Sequence, residues 1–419
     1  MRDHISVPRD KSKASFCSFA SLGYSVTMRK IFLFVAFILI FAPVGASAAV
    51  KLEYSGWLPY WREASSTMDV LPHLGQLTEV NPFGYIVQKD GTVMDAMGIA
   101  DEPWKSLIIA AKAKKVRVVP TVMWSDTSAI HRILSDATAR VQLEDDIAAL
   151  AVREGFDGID IDFEGKSADD KNYFSTFLKG LYKRMGKKWL MCTIESRTPV
   201  SSRYDGTPPK NAGVYANDWV QIGKYCDRVR FMTYDQQTID QKLNAAALSA
   251  PYVPVADGKW VEKAIRLAMQ TVPKNKIVIG IATYGYEWEV TPLTESGYRY
   301  DKLWAFNPRY ATELAAKIGS TIQRNSAGEL SFSYVPQIQL PPPPKADQQL
   351  SDVTPVPVPL QTANPAAVVL ATASFNIVWW SDAQAIKQKI DLAKRLGIRG
   401  VAVFKLDGGE DQAMWQYFK

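Results

Sequence analysis

The sequence predicts an α/β fold, a (β/α)8 TIM barrel with a small α+β insertion between its seventh and eighth strands. Three observations lead there. Short apolar runs alternate with amphipathic helical patterns along most of the 419 residues. One run, Phe156-Asp157-Gly158-Ile159-Asp160-Ile161-Asp162-Phe163-Glu164, places acids at every second position, as a buried strand with one functional face would. The alternation then fails once, from about 290 to 373, where a different pattern intervenes.

In chain order, strands are expected at 52–58, 79–86, 116–123, 156–163, 189–195, 227–234, 276–284 and 399–406. Helical patterns lie between them. Asp101-Glu102-Pro103 opens one carrying Trp104, Leu107, Ile108 and Ala111; Tyr173, Phe177, Leu178 and Leu181 form a second; Ile386, Ile390 and Ala393 form a third that stops at Gly397. Eight strand–helix units suit a closed barrel, whose functional groups come from the C-terminal ends of its strands. Within 290–373 a helix is expected at 308–318 and a strand at 330–335, with Phe375 to Trp380 closing the insertion. The stretch 336–370, with Pro341 to Pro344 and Val-Pro repeats up to Pro359, cannot pack a core and is expected to be an extended loop.

Asp160, Asp162 and Glu164 share one face of the fourth strand, and Glu164 ends it, where a catalytic group of a barrel belongs. A strand with one face in water also alternates acids with apolar residues. Here Ile159, Ile161 and Phe163 fill the other face and a helical pattern precedes it, which fits a central strand better. Three carboxylates on one buried face repel each other and lose hydration, so their protonation is perturbed and acid/base chemistry is favoured.

The first 48 residues are expected to be a leader. From Met28, the expected true start, Arg29 and Lys30 precede an apolar run from Ile31 to Val44 and a small-residue cleavage site, Ala46-Ser47-Ala48. The run is shorter than the roughly 18 residues of a membrane span. Secretion, or delivery to the envelope or periplasm, is expected, with an uncleaved anchor as the alternative. The leader holds six Lys/Arg and two Asp/Glu, so without it the net charge falls from +6 to +2. That balance gives no electrostatic case for nucleic acid. Residues 49–419, with 12 Trp and 47% hydrophobic residues over the whole chain, can bury a large core.

Cys192 and Cys226 lie in separate strand-like runs and are read as more readily separate than paired, and a disulfide framework is excluded. His73 and His131 have no Cys near them in sequence, so neither a zinc site nor a His-based triad is expected.

Asp157-Gly158-Ile159-Asp160-Ile161-Asp162-Phe163-Glu164 resembles the DGxDxDxE signature of family 18 glycoside hydrolases, the chitinase-like enzymes. Ser55-Gly56-Trp57-Leu58-Pro59-Tyr60-Trp61, Met232-Thr233-Tyr234-Asp235 and Tyr284-Gly285-Tyr286-Glu287-Trp288 extend the likeness over nearly the whole chain after the leader, and the insertion is similar to the family's small subdomain. The first and last of these segments look most like bacterial spore-cortex and cell-wall hydrolases.

The resemblance implies a retaining mechanism in which the substrate's own 2-acetamido oxygen is the nucleophile. Glu164 would then be the proton donor, held protonated by neighbouring charge, and Asp162 would bond to Glu164 or to the acetamido N–H. Asp160, one layer deeper, would share a proton with Asp162. Tyr234 matches the tyrosine that donates to the acetamido oxygen, and Asp235 and Met232 match its neighbours at the sugar. Asp157 lies outside the chemistry. Trp57, Tyr60, Trp61, Trp124, Tyr284, Tyr286 and Trp288 are candidates for sugar stacking, with core packing as the alternative for each. One position departs from the family: Phe404 stands where members usually carry a tryptophan under the sugar next to the cleaved bond. The expected activity is hydrolysis of β-1,4 bonds after N-acetylglucosamine in chitin-type chains or peptidoglycan, without cofactor or metal, by a monomer. The alternative is a non-catalytic, lectin-like sugar binder on the same scaffold.

Overall fold

Alternation along the fourth barrel strand decides the layers. Ile159, Ile161 and Phe163 point outward to the helices, and Asp160 and Asp162 point into the barrel. Phe163, 1% exposed, packs on Phe177 and Phe174 at ring separations of 5.3 and 6.1 Å. Burying one such ring contributes about 2–3 kcal/mol.

The computed structural model describes residues 51–247, 250–293, 297–336 and 374–419. The leader, and the Pro-rich stretch apart from its first residue, lie outside the described residues. In chain order the strands are β1 (Glu53–Pro59), β2 (Glu79–Val87), β3 (Val93–Asp95), β4 (Arg117–Val118), β5 (Thr121–Trp124), β6 (Gly158–Phe163), β7 (Trp189–Glu195), β8 (Arg228–Met232), β9 (Ile277–Ala282), β10 (Gly285–Pro292), β11 (Tyr298–Phe306), β12 (Gln323–Arg324), β13 (Leu330–Tyr334), β14 (Phe375–Trp380) and β15 (Gly400–Phe404). Eight of them pair in parallel in the order β1-β2-β5-β6-β7-β8-β9-β15, and β15 pairs back to β1. This is a closed (β/α)8 barrel.

Its helices are α1 (Glu63–Val70), α2 (Trp104–Ala113), α3 (Thr127–Ser135), α4 (Ala137–Arg153), α5 (Lys171–Met185), α6 (Val200–Arg203), α7 (Trp219–Tyr225), α8 (Gln241–Ala246), α9 (Gly258–Ala268), α10 (Pro308–Ile318) and α11 (Ala383–Leu396). An aspartate repeatedly starts them: Asp126, Asp136, Asp218, Asp240, Asp257 and Asp382 each accept a backbone N–H of the first turn. Each such cap is worth about 1 kcal/mol.

The structure differs from the sequence expectation in four places. The run 116–123 is split into β4 and β5 at Pro120, which has no N–H for the ladder. β3 folds back antiparallel on β2. The seventh barrel strand stops at Ala282, and the inserted sheet starts at Gly285 rather than at 290. A Cβ on Gly285 would lie 2.3 Å from Trp380 Cβ, so glycine permits this close pairing of β10 with β14. Finally, Cys192 and Cys226 form a disulfide with a Cα–Cα distance of 5.9 Å, overturning the reading of two separate thiols. The helical turn of α7 brings Cys226 beside β7, a proximity that strand spacing in the sequence did not reveal.

Between β9 and β15 the sheet β11-β10-β14-β13-β12 is antiparallel and carries α10 on one side. Among the described residues no helix is long and apolar enough to cross a membrane.

Candidate active site

The acids of β6 end in three different environments because each successive residue stands one layer nearer the mouth. Gly158, at the start, lets β7 approach: a Cβ there would lie 2.3 Å from the Trp189 carbonyl oxygen. Asp157 Oδ2 accepts the Val118 N–H at 2.8 Å and so serves the strand, outside the site.

Asp160 is fully buried and well supplied with donors. Its oxygens accept from Trp57 Nε1 at 3.1 Å, Thr121 Oγ1 at 3.0 Å and Thr193 Oγ1 at 2.9 Å, and Arg230 Nη1 lies 2.9 Å away. Burial pushes Asp160 up to about 6 against these hydrogen bonds. The adjacent guanidinium, which burial lowers only to about 9, keeps it on the ionised side at neutral pH. Asp160 Oδ2 thus takes Trp57, Thr121 and Arg230, whereas Oδ1 takes Thr193.

Asp162 is 4% exposed, and its Oδ1 has no hydrogen-bond partner among the described residues. Burial, then the charges of Glu164 and Asp160, push its carboxyl well above the ordinary range. Glu164 follows the strand and reaches solvent at the mouth. Burial of its inner side and the charges of Glu195 and Asp235 also raise it, with Lys166 opposing. Tyr234, half-buried, is held neutral by burial and by Asp162, Asp235 and Glu164. A buried acceptor, a raised carboxyl open to solvent and a neutral phenol thus converge at one end of the barrel.

Phe404 forms the floor of this mouth. Its ring stacks on Tyr234 at 5.7 Å and meets Trp57, Phe83 and Tyr284 edge-on at 5.9, 6.0 and 6.3 Å. Trp61 continues the aromatic wall, 5.8 Å from Phe83, while its neighbour Tyr60 packs against the main core. Met232 ends β8, half-buried, opposite Glu195. Tyr284 and Tyr286 both donate to Asp235 Oδ1 at 2.7 Å, so they orient that acid.

Three of the proposed stacking residues sit elsewhere. Trp57 is 1% exposed; it lies beneath Phe404 and spends its N–H on Asp160. Trp124, 2% exposed, packs at 5.3 Å on Phe163 in the helix-facing layer, because its position on β5 is opposite Phe163 rather than Asp162. Trp288 belongs to the inserted sheet, against Tyr286 and Tyr300. His131 bonds Asp170 at 2.6 Å and His73 stacks on Trp415 at 4.3 Å, so both have structural partners.

Sequence reasoning missed the groups around the acids. Arg230 bridges Asp160 to Glu79, which Arg117 also holds at 3.0 Å; Glu53 binds Arg228, Arg399 and Arg117 in the same layer. Lys166 and Glu195, 3.6 Å apart, flank Glu164, and Glu195 accepts the Gly165 N–H at 3.2 Å and Asn217 Nδ2 at 2.6 Å. The signal for Glu53, Glu79 and Arg230 was present: charges inside otherwise apolar strand runs, as for Asp160.

The model of the glycosyl hydrolases family 18 matches residues 56–409. The chain belongs to that family. It is therefore a chitinase-like glycosidase. Among curated relatives, the glycosylase YvbX of Bacillus subtilis is 25% identical over 346 residues, covering 79% of this chain and 81% of that one. The cortical fragment-lytic enzyme of the same organism is 24% identical over 338 residues; the match covers 79% of this chain and 64% of that enzyme's length. Two solved structures share the fold. The Bacillus cereus spore cortex-lytic enzyme SleL has a TM-score of 0.62 at 19% identity, covering 88% of this chain and 73% of that one. A Chromobacterium violaceum chitinase has a TM-score of 0.63 at 20% identity, covering 88% and 98%.

Proposed function

We propose that this family 18 glycosidase cleaves the β-1,4 bond after an N-acetylglucosamine unit with retention, using the substrate's acetamido oxygen as nucleophile. The observation that carries the reading is the unpartnered Asp162 Oδ1, buried beside a raised Glu164 and a neutral Tyr234. A buried acceptor without a donor is costly and calls for one from the substrate. The acetamido N–H is such a donor.

Tyr234 O–H donates to the acetamido carbonyl oxygen and turns it toward the anomeric carbon. Glu164 gives its proton to the glycosidic oxygen as that bond breaks, and the acetamido oxygen bonds to the anomeric carbon. The resulting oxazolinium carries its positive charge beside Asp162, which accepts its N–H. Water then attacks the anomeric carbon, loses a proton to Glu164, and the ring opens back to the acetamide. Asp160, fixed by Arg230, holds the strand and the local charge.

The relatives' names point to spore cortex and to chitin. Those names and the expected leader support a reading in which the substrate lies outside the cytoplasm or in the envelope. Against the lectin-like alternative stands Glu164, present and open at the mouth. The test is Glu164→Gln. Hydrolysis of N-acetylglucosamine oligomers is expected to fall about 10²–10⁴-fold, the usual contribution of a general acid, with binding retained. Equal turnover in both forms would remove Glu164 from its role.

A further inference from the structure

The segment 196–218 follows the C-terminal end of β7, the barrel end that carries Glu164, and holds two half-buried arginines, Arg197 and Arg203. Aromatic faces hold both. The Arg197 guanidinium carbon lies 3.9 Å from the centre of the Tyr215 ring and 3.8 Å from that of Trp219. That of Arg203 lies 5.6 Å from Tyr215 and 5.5 Å from Tyr204, so the two cations share one ring.

Neither has an acid as its partner among the described residues. Arg197 Nη1 donates to the Asn217 carbonyl at 3.2 Å, and Arg203 Nη2 to the Ala212 carbonyl and the Tyr215 hydroxyl, both at 2.6 Å. These are neutral oxygens. Asp218 acts on Arg197 only from farther off: its Oδ2 lies 3.6 Å from Lys171 Nζ, and its Oδ1 caps α7. Burial lowers the Arg197 guanidinium, and the charge of Arg203 lowers it further, against Tyr215 and Asp218. Two like charges side by side without a counter-ion are unfavourable, and an anion between them relieves this.

The free edges of both groups reach solvent. Arg203 Nε is enclosed without a partner, but Arg197 Nε and Nη2 and Arg203 Nη1 make no hydrogen bond among the described residues and are not buried. A short chain of contacts ties this pair to the catalytic mouth. Asn217, whose carbonyl holds Arg197, donates its Nδ2 to Glu195 at 2.6 Å, and Glu195 accepts the N–H of Gly165, the residue after Glu164.

We propose that Arg197 and Arg203 form an anion subsite beside the catalytic mouth, which takes a carboxylate carried by the glycan, on the lactyl group or the stem peptide of a muramic unit. The open guanidinium edges bind the carboxylate through charge-assisted N–H···O bonds, and the rings against their faces fix those edges in advance. Glu164, Glu195 and Asp235 make the mouth itself repel an acidic chain, so the arginines supply the opposite charge beside it. A chitin-type chain has no carboxylate and leaves the pair empty. Peptidoglycan is thereby the better match among the glycans considered. This rests on the reading that the protein cleaves N-acetylglucosamine glycans.

The test measures binding by titration calorimetry in a Glu164→Gln background, with thermal unfolding to verify that each variant is folded. The probes are peptidoglycan tetrasaccharides in three forms: free lactyl carboxylates, their methyl esters, and lactyl groups amide-linked to L-alanyl-D-glutamate. The Glu164→Gln parent is expected to bind a carboxylate form about tenfold tighter than the ester, and Arg197→Gln or Arg203→Gln to bring that ratio to about one. Preference for the free lactyl form assigns the lactyl group as the source, and preference for the peptide form alone assigns the stem peptide. A parent ratio near one overturns the subsite, and needs no arginine variant to be folded. An equal loss for all three forms, which keeps the ratio, also overturns it, since that is what a merely structural arginine gives. If wild type still hydrolyses an N-acetylglucosamine hexasaccharide in that case, only the subsite falls. Failure of wild type to cleave either the hexasaccharide or the free-acid chain removes the underlying reading and the subsite with it.

Discussion

Removing the disulfide by Cys192→Ala/Cys226→Ala should destabilise the barrel by an amount that the chain separation sets. The bridge spans 34 residues of sequence, between β7 and the end of α7. In the chain-entropy account, closing a loop of that length removes about 13 cal/mol/K from the unfolded state, or about 4 kcal/mol at 25 °C. For the unit Val50–Lys419, an unfolding entropy of about 2.1 cal/mol/K per residue gives about 0.8 kcal/mol/K, so Tm should fall by about 5 °C. Scanning calorimetry of oxidised wild type, wild type under reductant and the double variant measures this directly. Reduced wild type should fall with the variant. A Tm unchanged to within about 1 °C in both would refute the reasoning, since it would mean that the cross-link does not constrain the unfolded chain.

Two further outcomes follow from the charges around the site. Glu195 is the leading charge that raises Glu164, so Glu195→Gln should lower the Glu164 pKa and move the alkaline limb of kcat/KM to lower pH. Loss of activity at every pH without movement of the limb would make Glu195 merely structural. Despite burial, the guanidiniums of Arg228, Arg399 and Arg117 hold Glu53 at about 2, below its ordinary 4.5. Its folded pKa is depressed, so its stabilisation, about 3 kcal/mol, is complete above pH 4.5 and lost as pH falls toward 2. Glu53→Gln should flatten urea-unfolding stability across that window; a slope equal to wild type would contradict the pairing.

The barrel was legible because period-two and period-3.6 patterns survive in single segments. Each expected barrel strand has a counterpart, and α10 and α11 run where Pro308 and Gly397 signal a start and a stop. What was not legible depends on contacts between segments. Trp124 and Met123 are neighbours in sequence, yet register with β6 sends one to the helices and the other toward the site. Cys226 meets Cys192 only through the turn of α7. Arg230, 70 residues further along the chain, faces Asp160 at 2.9 Å, a partner that the spacing of the acids did not reveal. Lys166 and Glu195 carried no periodic signal, since both lie at or beyond strand ends.

The measurement that tests the central claim most directly compares cleavage of an N-acetylglucosamine oligomer with that of the same chain fully deacetylated, products read by mass. If the acetamido oxygen is the nucleophile, the acetylated chain is cut and the deacetylated chain is not, because the nucleophile leaves with the acetyl group. Efficient cleavage of the deacetylated chain would contradict the mechanism and require a protein nucleophile in its place.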